Sequence, residues 1–453
     1  MPTDKDWRRD LDAFLRPFLA ALGRKARRKW APLYVEGLFA DLERKSLRPL
    51  ADRVAPGDHE QLHHFVCTST WDTSPLEEVL ARQAQRMVGG RGAVLIVDDT
   101  GLPKSGSCSV GVGHQYCGVL GKMANCQTLV SLTLARGETP VPVSLRLFLP
   151  KEWTDAPERC EKCGVPPDRL EHRTKNEIAL EEIDRVRASG VKFDVVLADA
   201  GYGQGMEFRR ALSERGLRWA VGVPRHQKVY STGVEVLYAR PRPRGRPKEL
   251  PRTTERARPV EEVLDALPPR RWRRIAWRRG SKRPLVAEFA MLRVRAADGP
   301  IHERGWHLPG EEVWLVGERR ATGERKYYLS NLAIGTRFKR LVAVIRKRWA
   351  CEHGHQVLKG ELGLDHFEGR SWSGLHHHAL LAMVALAFLQ HLRLREAARR
   401  PGSGESPGPL KRPTLPEVRG ALVERLEVAL GARCSRCGKK ICRREQPREE
   451  VAK

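Results

Sequence analysis

Apolar residues recur at helical spacing from the start of the chain. Leu11, Phe14, Leu15, Phe18, Leu19 and Leu22 fall three or four apart with basic residues between them, the pattern of a helix that buries one face. This texture continues to about residue 88 and predicts a helical N-terminal unit, readable as a small DNA-binding domain or as a helical cap. At Gly92 the period changes. Ala93–Val97 is a short apolar run with β-branched residues that ends in Asp98-Asp99-Thr100-Gly101. A glycine-rich stretch follows, then strand-like runs at Thr128–Leu134 and Val141–Phe148. Thr174-Lys175-Asn176-Glu177 has the form of a capping box and opens a helix to about Ala188, with Gly190 beyond. A second buried-type strand, Val195–Ala198, ends in Asp199-Ala200-Gly201-Tyr202-Gly203. A helix over Met206–Arg215 and a strand over Arg218–Val223 complete the order: three strands, helix, strand, helix, strand. That order predicts an α/β core.

Residues 224–335 break the rhythm. Strand patterns at Leu285–Val294, Glu312–Gly317 and Lys326–Leu329 predict a β-rich insertion. Helical periodicity returns at Arg337 and runs past Leu358, and His376–Ala398 reads as a strongly apolar helix. Arg399–Leu415 is a Pro/Gly/Ser linker, followed by a short amphipathic helix (Leu415–Leu430) and a basic, cysteine-containing tail. The expected division is a helical N-terminal domain (1–88), the first part of a catalytic core (89–223), a basic insertion (224–335), a helical completion of the core (336–398), and a linker with its tail (399–453).

Charge sharpens the picture. The 453 residues carry 82 Lys and Arg against 55 Asp and Glu, a formal net charge of +27, with 41% hydrophobic residues. The apolar content suits a folded chain rather than a disordered one. The excess points to a polyanion, of which nucleic acid is the commonest, or else to a generally arginine-rich composition. Between Arg225 and Arg279 there are 16 basic and 6 acidic residues. Within that stretch Pro243-Arg244-Gly245-Arg246-Pro247 has the core of an AT-hook, whose arginines would enter an A·T minor groove; a plain basic linker reads the same way. The longest clean apolar stretch, Ala379–Leu389, is too short to cross a bilayer, and the first residues lack the apolar core of a signal peptide. A soluble, cytoplasmic protein is the expectation. Two CxxC pairs among ten cysteines, Cys160–Cys163 and Cys434–Cys437 with Cys442 beyond, resemble halves of a Zn2+ ribbon or are reduced thiols.

Two apolar strands that each end in aspartate are the first chemical clue. Carboxylates emerging together at one sheet edge repel unless a cation lies between them, and Mg2+ or Mn2+ suits oxygen ligands. The alternative is that Asp98, Asp99 and Asp199 cap turns. At ~100° per residue, Ile345, Arg348, Glu352 and Lys359 share one stripe about 60° wide. Val342, Val357, Leu358 and Leu362 flank that stripe, so the helix is packed and its acid is positioned for use. Two strand-end aspartates and a helical glutamate suggest a two-metal nucleotidyl-transfer site.

On DDTGLPKSG, HQYCGVLGK, RLFLPKEW, ADAGYG and ELGLDHFEGRSWSGLHHH, the chain resembles bacterial insertion-sequence transposases of the 701 type, DDE transposases with an RNase H-like core. The resemblance covers roughly residues 90–390. It implies a catalytic, metal-holding triad of Asp99, Asp199 and Glu352, with Asp99 preferred because Asp98 points to the opposite strand face. The signature Y-x2-R-x3-E-x6-K falls on Ile345, Arg348, Glu352 and Lys359, with isoleucine in place of tyrosine. Arg348 and Lys359 are then expected to bind phosphates, alongside Arg244 and Arg246. Trp306 and Trp314 are candidates to stack on an extruded base, or are packed. His376–His378 are expected at a DNA-facing or plain surface. The implied activity is cleavage of transposon-end DNA and transfer of its 3′-OH ends to target duplex DNA by a homodimer, with Mg2+ or Mn2+. The competing readings are a non-catalytic DNA-binding descendant and an RNase H-like nuclease without strand transfer.

Overall fold

The computed structural model describes residues 6–238, 251–279, 284–300, 307–399 and 413–429. Its N-terminal part is helical: α1 (Asp6–Leu22), α2 (Lys25–Phe39), α3 (Leu47–Val54) and α4 (Ser74–Val88). The stripe Leu11, Phe14, Leu15, Phe18 and Leu22 is buried, and these helices share one hydrophobic core with the sheet that follows.

That sheet begins with β1 (Val94–Pro103), β2 (Gly113–Cys117), β3 (Lys122–Arg136) and β4 (Thr139–Phe148). After α5 (Lys175–Ala188) come β5 (Val195–Ala198), α6 (Met206–Glu214) and β6 (Trp219–Val223). In space the order is β4-β3-β1-β5-β6, with β3 antiparallel to both neighbours and β1, β5 and β6 parallel. Three antiparallel strands followed by two parallel ones form the mixed sheet of an RNase H-like core.

One expectation changes here. The apolar run of β1 ends at Val97, but the strand continues through both aspartates to Pro103. The reason is β3, which keeps pairing with β1 from Asp98↔Ser131 to Pro103↔Cys126 after β5 has stopped at Ala198.

The insertion does not form a separate layer. Its strands β7 (Lys228–Tyr230), β8 (Arg258–Pro259), β9 (Arg273–Arg279), β10 (Pro284–Ala296), β11 (Glu312–Arg319) and β12 (Arg325–Ser330) extend the same sheet, because β12 pairs antiparallel with β6. Glu318 on β11 is 1% exposed. It accepts from Arg346, Arg320 and the Tyr328 hydroxyl, which pins the next helix to the insertion.

The helix expected from Arg337 onward is two helices, α7 (Phe338–Arg346) and α8 (Trp349–Gly360). At the junction the amides of Lys347, Ala350 and Cys351 bond three residues back, to Val344, Lys347 and Arg348. That tightened turn shifts the phase of the face that follows. Beyond it, α9 (Trp372–Arg399) is the core helix. By length and composition Trp372–Ala398 is long and apolar enough to cross a membrane, contrary to the reading from the uninterrupted run alone. However, 89% of its most apolar window is buried inside the protein, against β4, α2 and α4. A final helix, α10 (Leu415–Ala429), packs on α9 and α2.

The two faces of β1 serve different partners. Ala93, Leu95 and Val97 belong to the core shared with the N-terminal helices, α5 and α9. Val94 and Ile96 pack with Val195, Leu197 and the α7–α8 residues Ile345, Ala350 and Cys351.

Candidate active site

The alternation of β1 separates its two aspartates. Asp98 follows the face of Val94 and Ile96, toward α8; Asp99 follows the other, toward α5. Because Val97 pairs with Ala198 in parallel register, Asp98 and Asp99 lie level with Asp199.

Asp99 accepts from Lys175 Nζ at 2.6 Å and from the Tyr202 hydroxyl. The capping box predicted at Thr174 is present, with Glu177 closing it, and it sets Lys175 in the first turn of α5. A cation is disfavoured at that positive helix end, so its pairing with Asp99 decides its place. Tyr202 comes from the turn after β5. There Asp199 caps a short helix by accepting from Tyr202 N at 3.2 Å, as the turn-capping alternative anticipated. The turn lies flat on β6. A Cβ on Gly203 would come 2.0 Å from the Gly222 carbonyl oxygen, and one on Gly222 would come 2.9 Å from Ala200 N. Glycine at both positions lets Asp199 approach the sheet edge.

On the other face Arg348 bridges two carboxylates. Its Nη1 donates to Asp98 at 2.8 Å and its Nη2 to Glu352. Burial pushes Asp98 up to about 7; Asp199 and Asp99 add to the rise, while Arg348 and the Asp99 amide oppose it. Burial pulls the Arg348 guanidinium down, yet Asp98, Glu352 and Asp199 hold it above its ordinary value. The structure therefore brings Asp98, Asp199, Arg348 and Glu352 into one electrostatic group, with Asp99 on the far side of the strand. The side chains of Asp99 and Glu352 are 31% and 52% exposed, against 13% for Asp98.

Other sequence candidates have definite places. Lys359 donates to the Gly101 carbonyl at 2.8 Å and is held below its usual range by burial, so it fastens α8 to β1. Ile345 is buried among apolar neighbours. Trp314 is packed under Arg293 and donates to Ala333. Arg244, Arg246, Trp306, Cys434, Cys437 and Cys442 lie outside the described residues. The histidines are not at a surface: His376, His377 and His378 are 6%, 1% and 0% exposed. Their rings pair with Trp372, Val66, Trp71, Tyr34 and Gly363, because α9 threads the core. Cys160 is buried with its thiol on the Trp153 carbonyl.

Two features escaped sequence reading. One is Lys175, whose ammonium pairs with Asp99; only the capping box hinted at its placement. The other is a pocket of about 400 Å³ beside Glu352, lined by Trp277, Tyr328, Arg346, Arg348 and Trp349. Trp277 sits under Arg346, 3.5 Å from its guanidinium carbon to the ring centre. A larger cavity, about 580 Å³, opens between the N-terminal helices and β4. Its arginines Arg146, Arg169 and Arg173 are committed to Glu77, Glu182 and Glu181.

Oxygen-only donors suit hard divalent ions; Asp199 and Glu352 stand with Asp98 around Arg348, while Asp99, on the other strand face, is paired with Lys175.

The mixed sheet places aspartates on β1 and just after β5, and the covering helix α8 carries a glutamate. Residues 17–284 match the DDE superfamily endonuclease family, more than half of the chain, and the protein belongs to that family. The match includes Asp98, Asp99 and Asp199 and ends before Glu352. The chain is also similar to the probable transposase for insertion sequence element IS701 of Microchaete diplosiphon, 33% identical over 188 residues, which are 41% of this chain and 46% of the relative. It thus spans about half the length of the curated relative it matches. Among solved structures, the piggyBac transposase synaptic complex with hairpin DNA aligns over 93% of this chain and 77% of that one, at 10% identity and a TM-score of 0.43.

Proposed function

We propose that this protein is a transposase that cleaves the phosphodiesters at the ends of its element and transfers the freed 3′-OH ends to target duplex DNA. The observation that carries the reading is the clustering of Asp98, Asp199, Arg348 and Glu352, with Asp99 the next residue of the same strand, in a chain of the DDE endonuclease family with a net charge of +27.

In this reading Asp99, Asp199 and Glu352 hold two Mg2+ or Mn2+ ions. When bound, such ions activate the attacking oxygen and stabilise the departing one. The rest falls to the chain. Asp98, more buried and already engaged, anchors Arg348. Lys175 and Arg348 hold the carboxylates while no ion balances them and then turn to backbone phosphates, with Lys359 keeping α8 against β1. Trp277, under Arg346, and Trp349, stacked on His353, line the pocket beside Glu352, and a base displaced from the strand end would stack there by displacing one of those partners, in place of Trp314. The basic insertion, including Arg244 and Arg246, grips flanking DNA. Two copies, one for each element end, act together on DNA in the cytoplasm.

The test is to incubate the protein with DNA carrying the inverted repeats that flank its coding region, a target plasmid and Mg2+. Joined products with element 3′ ends are expected. Cleavage without joining favours a nuclease, and binding without cleavage favours a regulatory descendant.

A further inference from the structure

The helix that carries Glu352 also carries donors aimed inward. Cys351 and His355 are four residues apart on α8 and so share a face, turned toward β1 and β3. Cys351 is 0% and His355 8% exposed. The Cys351 Sγ lies 3.5 Å from His355 Nε2. The Asp98 carboxylate joins them, with one donor atom from each of the three residues within 4.8 Å of the others. Ser131 Oγ stands 2.9 Å from His355 Nε2 and 3.9 Å from the sulfur.

We propose that Asp98, Cys351 and His355 form a site for one soft divalent cation of the zinc type, separate from the oxygen-only carboxylate site. Two observations carry it. The donors are a thiol, an imidazole and a carboxylate, the set that selects zinc over magnesium. Their spacing fits: zinc–sulfur and zinc–nitrogen bonds of about 2.3 and 2.0–2.1 Å at a tetrahedral angle put the two donor atoms roughly 3.5–3.6 Å apart. Charge sets a condition on the site: Asp98 is already paired with Arg348, so an ion there is neutralised by the Cys351 thiolate and the Asp98 carboxylate only as Arg348 turns to Glu352, which it also reaches.

Burial has prepared the ligands unequally. It drives the His355 imidazole down to about 3, with Lys359 and Arg348 lowering it further, so its ring stays neutral. It pushes the Cys351 thiol well above its usual range. Metal entry therefore breaks the S–H bond, forms the sulfur–metal bond and releases that proton to solvent. Two hydroxyls offer a fourth donor: Ser131 Oγ beside His355 and Thr133 Oγ1, 3.4 Å from the sulfur. A hydrogen-bonded Ser131–His355–Cys351 chain is the competing reading, and it needs no ion. The consequence of a bound ion is mechanical: it would rivet α8 to β1 one residue away from both Asp99 and Glu352.

The test is optical and independent of DNA cleavage. Metal-free full-length protein is titrated with Co2+, alongside C351V, H355Q, E352Q and the double variant C160S/C163S. Wild type and E352Q should develop thiolate-to-cobalt charge-transfer absorption with tetrahedral ligand-field bands. C351V and H355Q should each lose one equivalent of that signal, while C160S/C163S keeps this equivalent. One equivalent of Zn2+ should also raise the Tm of wild type and leave that of H355Q unmoved. Identical cobalt stoichiometry and spectra in wild type, C351V and H355Q would overturn the site and leave only the hydrogen-bonded chain. Because E352Q reports here too, failure of the soft-metal site and failure of the transposase reading are separable.

Discussion

Arg348 Nη1 lies 2.8 Å from Asp98 Oδ2, and the same guanidinium reaches Glu352, so one arginine ties strand β1 to the acid of helix α8. In the proposed reading Asp98 is a positioning residue and Asp99 holds metal. On this assignment D99N brings metal-dependent end cleavage to background. D98N loosens Arg348 and removes one donor of the proposed soft-metal site, and its cleavage stays within about a hundredfold of wild type. Equal, complete loss in both variants would return Asp98 to the catalytic set.

Lys175 and Asp99 form a half-exposed pair, 34% and 31% by side chain, and any ion at Asp99 must compete with that ammonium. A pair of this exposure is worth about 0.2–1 kcal/mol. K175M should therefore bind Mn2+ more tightly in the absence of DNA by up to about fivefold, read by electron paramagnetic resonance of free Mn2+. At the same time it should bind end DNA more weakly. Unchanged Mn2+ affinity would show that Lys175 does not guard the site.

Arg146 on β4 donates to Glu77 of α4 and to Glu182 of α5, whose carboxylates are 4% and 2% exposed. Burial alone would raise Glu182, but Arg146, Arg185 and the Ser144 hydroxyl bring it down to about 2. R146M strands two buried carboxylates and should cost about 3 kcal/mol or more, seen as a lower urea midpoint. A midpoint within error of wild type would mean that Arg185 suffices for both acids.

The buried histidines set an acid limit. Burial is the largest cause that lowers His376 to about 3 and His378 to about 4. A group whose folded pKa lies below its unfolded value of about 6.5 takes up its proton first in the unfolded chain. Its contribution is intact above pH ~6.5 and is lost as pH falls from there toward 4 and 3. Each should remove about 1.4 kcal/mol per pH unit in that window, so Tm should drop clearly between pH 7 and pH 5. H376F should flatten part of the slope. A Tm independent of pH over that range would contradict the burial of neutral rings.

How much of this was legible beforehand depends on range along the chain. The strand pattern at Val195–Ala198, the capping box at Thr174 and the stripe of α1 are local signals, and all three elements formed there. Aspartates at strand level and a glutamate on a packed helix were legible for the same reason. The continuation of β1 through Asp98 and Asp99 was not, because it depends on 33-residue-distant pairing with Ser131 rather than on the aspartates themselves. The Pro- and Arg-rich texture of the insertion concealed that its strands join the main sheet through β12 and β6. Cys351 and His355 carry no motif signal of their own; it is α8 that turns both against Asp98. His376–His378 were misread because polar residues at a helix start suggest a surface, whereas carbonyls from Val66, Trp71 and Gly363 await them in the core.

The claim that three carboxylates cut DNA is tested most directly by end cleavage with D199N and E352Q. Purified variants and wild type are incubated with labelled inverted-repeat DNA and Mn2+, and both binding and cleavage are scored. Wild type should release a 3′-OH end. Both variants should hold the DNA with unchanged affinity and a steep salt dependence, yet leave it uncut. Cleavage by either variant at the wild-type rate would contradict the account.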